Sequence, residues 1–459
     1  MSGTFEKIDV PPTLVSFAVT TDNTKNIISP EFKGADHKVV ILKPDYDENH
    51  LPVASSLIDL FNTVTKLMRD KKVVAAYTPT YGGVAEAVLK MAMGNKIGFA
   101  YNESLTNDDI FGYNYGAFIL ELTEDVAVGE VLGYTTDDYA ISRGTEKICM
   151  CELEKLYEDK LESIFKCNIE TEDKPIEKYE YKCTNVKKAS VSVAKPKVLI
   201  PVFPGTNCEY DSAKAFTKAG AEAEIFVINN LSASSFTESV KNFAEKVAKS
   251  QIIFVPGGFS GGDEPDGSGK FITAFFRNAE IKEAVTDLLD NRDGLMGGIC
   301  NGFQALIKLG LVPYGKIIDT DENCPTLTFN TISRHQSKLV RTRVASNKSP
   351  WLANANVGDI ITVPISHGEG RFIADEKLIA ELGKNGQIIT QYVDLEGNPT
   401  YDIQYNPNGS YAAIEGITSP DGRVFGKMGH SERIGEDLYK NVEGNYDLGL
   451  FKSAVEYFK

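Results

Sequence analysis

The sequence is short of several things, and each shortage excludes a class of protein. Of its 459 residues one is tryptophan and five are histidine. Imidazole chemistry therefore has only His37, His50, His335, His367 and His430 to draw on. No apolar run approaches the roughly 20 residues of a membrane-spanning helix. The opening MSGTFEKIDVPPT lacks the basic-then-apolar pattern of a secretory signal. Positive charge is scarce: 48 Lys and Arg against 64 Asp and Glu give a net charge of −16. Such a surface repels phosphate and argues against nucleic acid as a main partner. A GxxxxGK[ST] phosphate loop is absent, since Ser-Gly-Lys at 268–270 is followed by Phe271. The seven cysteines are odd in number and scattered, the pattern of a reducing compartment rather than of a disulfide framework. Cys149 and Cys151 have no second Cys or His pair at zinc spacing, so no metal is expected. These shortages together lead us to expect a cytoplasmic protein that uses neither membrane nor nucleic acid.

What is present is an ordinary globular balance, 42% hydrophobic and 24% charged. Three stretches emerge. In the first, residues 1–150, PTLVSFAVT, KVVIL, VVAAY and GAFILEL read as strands, rich in β-branched residues. Val53, Leu57, Phe61, Val64 and Met68 recur at helical spacing behind Pro52, and Val84 to Met93 form a second helix closed by Gly94-Asn95. This is an α+β domain. The second stretch, 151–195, opens with a charged helix, CELEKLYEDKLESIF, and becomes a Lys/Glu/Thr/Ser-rich connection. The third, 196–459, alternates short apolar runs with helices: KVLIPVF, EYDSAKAFTKAG, AEIFVI, a helix over about 234–248, IIFV, a helix to about 290, and LMGGI. That alternation implies an α/β fold, a mostly parallel sheet with helices on both faces and ligands at the carboxyl ends of the strands.

Two motifs fall at those ends. Gly298-Ile299-Cys300-Asn301-Gly302 stands between a strand and the helix FQALIKLG, the setting of a nucleophile elbow. Small flanking residues allow the tight turn, and the helix N-terminus offers its dipole to negative charge at the sulfur. The Asn301 N–H can face an oxyanion. The Gly-rich loop Phe254-Val255-Pro256-Gly257-Gly258-Phe259-Ser260-Gly261-Gly262-Asp263 leaves an earlier strand. An amide at Gly258 or Phe259 would supply the other half of an oxyanion hole. Read alone, each motif is also compatible with a generic glycine-rich turn. The base comes from Gly429-His430-Ser431-Glu432-Arg433, where His-x-Glu spacing puts both side chains on one face of an extended segment. Glu432 can then orient the imidazole and complete a Cys300–His430–Glu432 triad.

Read together, these residues resemble class I (triad) glutamine amidotransferases. The runs PVFPGTNCEYD, PGGFSGGDEPDGSGK, GGICNGFQALIKLGLVP, PISHGEGRF, NPNGS and IEGITSPDGRVFGKMGHSER are similar to the glutaminase domain of the phosphoribosylformylglycinamidine synthase family. The resemblance implies release of ammonia from glutamine through a Cys300 thioester. It also implies that Gln304, one helical turn on, contacts the bound glutamine. VPPTLVSFAV, YGGVAEAVLKMAMGNKIGF and NYGAFILEL resemble the C-terminal lobe of the aminoimidazole-synthetase-like unit of such synthases. Ala76 to Gly83 depart from the polar sequence many members carry there, so no nucleotide role is expected for the lobe. By this resemblance the chain corresponds to the C-terminal part of a longer enzyme. The expected partners are glutamine and the remaining synthase domains. ATP and Mg are needed only by the complete synthase, and no cofactor is expected in this chain. Two other readings remain open: a stand-alone Cys-triad amidase, separable by its ammonia acceptor, and a non-catalytic docking module, separable by glutamate release.

Overall fold

Along the strand Lys38–Leu42, side chains alternate between two hydrophobic layers, as the period of a strand requires. Val39 and Ile41 pack with Val84, Val88, Met91 and Phe99 under the helix Gly83–Met93. Val40 and Leu42 pack with Leu60, Val64 and Leu120 under the helix Ala54–Arg69. The strand sits near the middle of a seven-stranded sheet, in the order Val73–Tyr77, Phe118–Leu122, Lys38–Leu42, Glu130–Thr136, Gly98–Tyr101, Ala140–Arg143, Glu146–Cys149. Every ladder in it is antiparallel except that between Gly98–Tyr101 and Ala140–Arg143. The computed structural model describes residues 3–5, 8–10, 14–163, 166, 169–171, 174–185, 187–261, 268–435 and 438–459. It divides into two units, Met1–Ile164 and Phe165–Lys459.

Two expectations for the first unit need correction. PTLVSFAVT is not a strand over its described residues, 14–20. Leu14, Phe17 and Val19 are almost fully exposed. β-branched content favours a half-buried pleated surface, and without a neighbouring strand to pair with it specifies nothing. The thiols are not all unpaired: Cys149 and Cys151 form a disulfide. The strand Glu146–Cys149 turns directly into the helix Met150–Asp159, which holds the two Cα atoms 5.3 Å apart, within bridging range. The bridge spans a single intervening residue and closes no loop of consequence.

In the second unit a nine-stranded sheet has a parallel half and an antiparallel half. The parallel half runs Glu222–Val227, Lys197–Val202, Ile252–Val255, Leu295–Ile299, Val424–Lys427. It continues antiparallel through Ile414–Thr418, Ile388–Tyr392, Gln336–Val344 and Ile360–His367. The helices Glu209–Ala219, Ala233–Val247, Ala279–Asp290 and Asn301–Lys308 bury their apolar stripes on it. Gly220, at φ 97°, ends the first of these in the left-handed conformation that glycine tolerates best. The connection ahead of this sheet is tied to its antiparallel half. Gln391 accepts from the Tyr179 N–H at 3.1 Å and donates to the Glu177 carbonyl at 3.0 Å, and the Tyr181 N–H donates to the Ala345 carbonyl at 2.8 Å. Among the described residues no helix is long and apolar enough to cross a membrane.

Candidate active site

Cys300 stands at the junction of Leu295–Ile299 and Asn301–Lys308, with φ 54° and ψ −107°. That backbone is strained for a residue bearing a Cβ and persists only where its surroundings over-determine it. They do so here. A Cβ on Gly298 would sit 2.7 Å from the Gly302 carbonyl carbon, and one on Gly302 would sit 2.0 Å from the Val255 oxygen. The Cys300 N–H is fixed to the Lys427 carbonyl at 2.9 Å, and the sulfur lies 3.6 Å from the Ser366 carbonyl. Cys300 is buried, 3% exposed.

His430 arrives on the segment after the strand Val424–Lys427 and is held by its N–H to the Pro364 carbonyl at 2.8 Å. Its Nδ1 meets Glu432 Oε1 at 2.6 Å, while Nε2 is buried with no hydrogen-bond partner. Gly257 lies against both side chains: a Cβ there would be 2.7 Å from His430 Cε1 and 3.4 Å from Cys300 Cβ. Burial of the ring opposes its protonation. The Glu432 carboxylate and the Cys300 and Cys208 sulfurs outweigh that, and hold the imidazole well above its ordinary pKa. With Nδ1–H given to Glu432, Nε2 on the other side of the ring is the position left to exchange a proton.

The segment carrying His430 is itself clamped. Glu415 Oε1 accepts from the Gly429 N–H at 2.6 Å, and Lys427 Nζ donates to the Gly429 carbonyl at 3.0 Å and to Ser431 Oγ at 3.1 Å. The two charges are 3.2 Å apart and essentially fully buried. Sequence reasoning missed this pair. Its signal was a lysine ending a strand whose every residue is buried, a place where a charge has to be partnered.

The Gly-rich loop bears on the oxyanion hole unevenly. The Phe259 N–H donates to the Gly205 carbonyl at 2.8 Å, so it is already engaged. That bond belongs to a bridge between Thr206 and Gly258, and the Gly258 N–H stands outside it. Gly258 has φ 147°, and a Cβ there would be 2.6 Å from the Gly205 oxygen. Gly262 and Asp263, at the end of the loop as read from the sequence, lie outside the described residues. Asn301 begins the helix beside Cys300, and its side chain accepts from the Ser260 N–H at 3.1 Å and donates to Gln304 Oε1 at 2.9 Å. Gln304 in turn donates to the Glu369 carbonyl at 2.6 Å. Its amide thus joins the elbow to the His367–Gly370 turn.

The other histidines take different positions. His37 and His50 belong to the first unit. His335 Nε2 meets Ser366 Oγ at 3.0 Å. His367 is buried with both ring nitrogens unpartnered, and burial, reinforced by His430 and His335, pushes it down to about 3. Cys208 is a residue whose place in the site the sequence did not disclose, although it stands in the PGTNCEYD run. It is buried, with its sulfur 3.8 Å from His430 Nδ1 and 3.0 Å from Arg433 Nη2.

Residues 195–458 match the CobB/CobQ-like glutamine amidotransferase domain. The phosphoribosylformylglycinamidine synthase subunit PurQ of Methanococcus maripaludis is 38% identical over 284 residues, 57% of this chain and 97% of that protein. The subunit of the same name from Aquifex aeolicus is 32% identical over 250 residues, 54% of this chain and 95% of its own length. Among solved structures, PurLQS from Thermotoga maritima aligns at 26% identity with a TM-score of 0.42, over 58% of this chain and 100% of that one. A family match across more than half of its length means that this chain belongs to the CobB/CobQ-like glutamine amidotransferases.

Proposed function

We propose that this chain is the glutaminase of a phosphoribosylformylglycinamidine synthase, with Cys300, His430 and Glu432 as its triad. Likeness to PurQ subunits over nearly their whole length supports the substrate and the pathway step. The observation that carries the assignment of residues is the imidazole held by Glu432 at 2.6 Å, with an unpartnered Nε2, beside the strained Cys300 elbow. Nε2 takes the Cys300 proton, and the thiolate attacks the side-chain carbonyl of glutamine. The oxyanion is received by the Asn301 amide and the Gly258 amide, with Phe259 supporting the loop through Gly205. His430 returns the proton to the departing ammonia, and water then cleaves the thioester to glutamate. Gln304 shapes the glutamine pocket through Asn301 and Glu369.

No cofactor enters these steps. Ammonia is consumed by the ATP- and Mg-dependent synthase domains that act as partner, converting formylglycinamide ribonucleotide to the amidine, in the cytoplasm. Residues 1–150 serve as a synthetase-type C-terminal lobe, followed by the connection 151–195 and the glutaminase domain 196–459. The test is glutamate release from glutamine by the purified chain, with and without Cys300→Ser. Release that survives the substitution would remove Cys300 from the mechanism. Release of ammonia from simple amides in preference to glutamine would favour a stand-alone amidase.

A further inference from the structure

Cys208 is a buried thiol that the proposed reaction leaves idle, and it lies where a metal ligand would. Its sulfur, a His430 ring nitrogen and a Glu432 carboxylate oxygen are within 4.8 Å of one another, and all three residues are buried. A second observation points the same way: Glu432 Oε2 is buried with no hydrogen-bond partner. One thiolate, one imidazole and one carboxylate make a donor set suited to zinc, and the two anionic ligands balance a divalent charge. The 3.8 Å between Cys208 Sγ and His430 Nδ1 is near the roughly 3.5 Å that ligands bound at about 2.0 and 2.3 Å take around a tetrahedral ion.

We infer that Cys208, His430 and Glu432 form a binding site for a divalent transition-metal ion of the Zn²⁺ type, and that its occupancy switches the glutaminase off. The second half of this inference rests on the proposed role of His430; the binding site itself does not. As the metal–sulfur bond forms, the Cys208 thiol releases one proton to solvent. The ring gives up its Nδ1 proton to solvent, the Nδ1 lone pair binds the ion, and the proton on Nε2 stays there. Glu432 stays ionised and exchanges its hydrogen bond for the metal, and a water takes the fourth position. Nothing is oxidised or reduced. With its proton on Nε2 the ring cannot accept one from Cys300. Arg433, which donates to the Cys208 sulfur at 3.0 Å, has to yield. Its side chain is about a third exposed and lies 3.9 Å from Asp211, which can receive it.

Cobalt(II) serves as the probe, because a bound thiolate gives it a ligand-to-metal charge-transfer band. In the full chain carrying Cys300→Ala, one equivalent of Co²⁺ should produce that band, and adding Cys208→Ser should abolish it. Arg433→Gln, which keeps all three ligands, should tighten cobalt binding at least threefold by removing the competing cation. A band that vanishes with Cys300→Ala alone, no band in either protein, or an Arg433→Gln affinity unchanged or weakened overturns the site. In the wild-type enzyme, stoichiometric Zn²⁺ should lower glutamate release at least tenfold, and a chelator should restore it. Metal bound through Cys208 without that loss overturns the inhibition. Absence of glutamate release in metal-free protein counts against the catalytic reading instead.

Discussion

Each unit holds a histidine–glutamate pair, and in both the Nδ1-to-Oε1 distance is 2.6 Å. Around Glu121 of the first unit every acceptor is used. His37 Nδ1, the Lys33 N–H at 2.9 and 3.1 Å and the Gly34 N–H at 3.3 Å converge on a carboxylate that is completely buried. Around Glu432 the shell is incomplete: Oε2 and His430 Nε2 are buried and unpartnered. The lesson is that the bond alone identifies nothing. What differs is the surroundings: backbone N–H groups converge on Glu121, whereas the His430 ring lies beside the Cys208 sulfur and is acted on by Cys300.

Breaking the two pairs should therefore give different losses. The largest effect is expected at the nucleophile beside the second pair, where Cys300→Ser should lower glutamate release on the order of 10⁴-fold or more with the fold intact by circular dichroism. Glu432→Gln removes the group that sets the tautomer and should lower kcat on the order of 10²- to 10⁴-fold with little change in KM. Glu121→Gln should leave kcat unchanged and cost about 1–3 kcal/mol in urea unfolding, the penalty of unsatisfied buried donors. A tenfold fall in kcat for Glu121→Gln would erase the contrast.

The clamp on the His430 segment sharpens the comparison. Lys427→Met leaves Glu415 buried without its cation and should cost about 3–5 kcal/mol, while Lys427→Met with Glu415→Leu should recover most of it. Equal losses in the single and double variants would mean that the charges are not coupled. The smallest effect is in pH dependence. His430 is raised in the folded state, so its contribution to stability is complete below the unfolded value of about 6.5 and is lost as pH rises through the folded value. The stability difference between wild type and Glu432→Gln should accordingly shrink as pH is raised above about 6.5. A difference that grows over that interval would reverse the sign assigned to the pair.

The parts of the site that rest on short spacing were legible in the sequence. The elbow needs only a strand, small residues about Cys300 and a helix; His430 and Glu432 do meet, but on a turn closed by the Arg433 N–H to the His430 carbonyl at 3.1 Å rather than on the extended segment expected from their spacing. The helix Gly83–Met93 was equally readable, because the apolar residues that predict it also bury it; Ala54–Arg69 forms as expected, but of its predicted stripe Val64 is buried while Val53 and Phe61 stay exposed. The parts that rest on register were not. Lys427 meets Glu415 between two strands, Val424–Lys427 and Ile414–Thr418, whose pairing the sequence does not announce. Cys208 reaches His430 across 222 residues of sequence. The engagement of the Phe259 amide by Gly205 is also a contact between loops. At 12–20 the opposite error arises: composition promises a strand, and no neighbouring strand pairs with the described residues 14–20.

The central claim is that Cys300, and not the nearby Cys208, forms the bond to substrate. Acid-quenching the full chain during turnover of isotopically labelled glutamine, followed by peptide mapping, reads this directly. The account predicts a γ-glutamyl thioester on the peptide containing Cys300, and its absence from the peptide containing Cys208. Label on Cys208, or label that persists on any cysteine in Cys300→Ser, would contradict it.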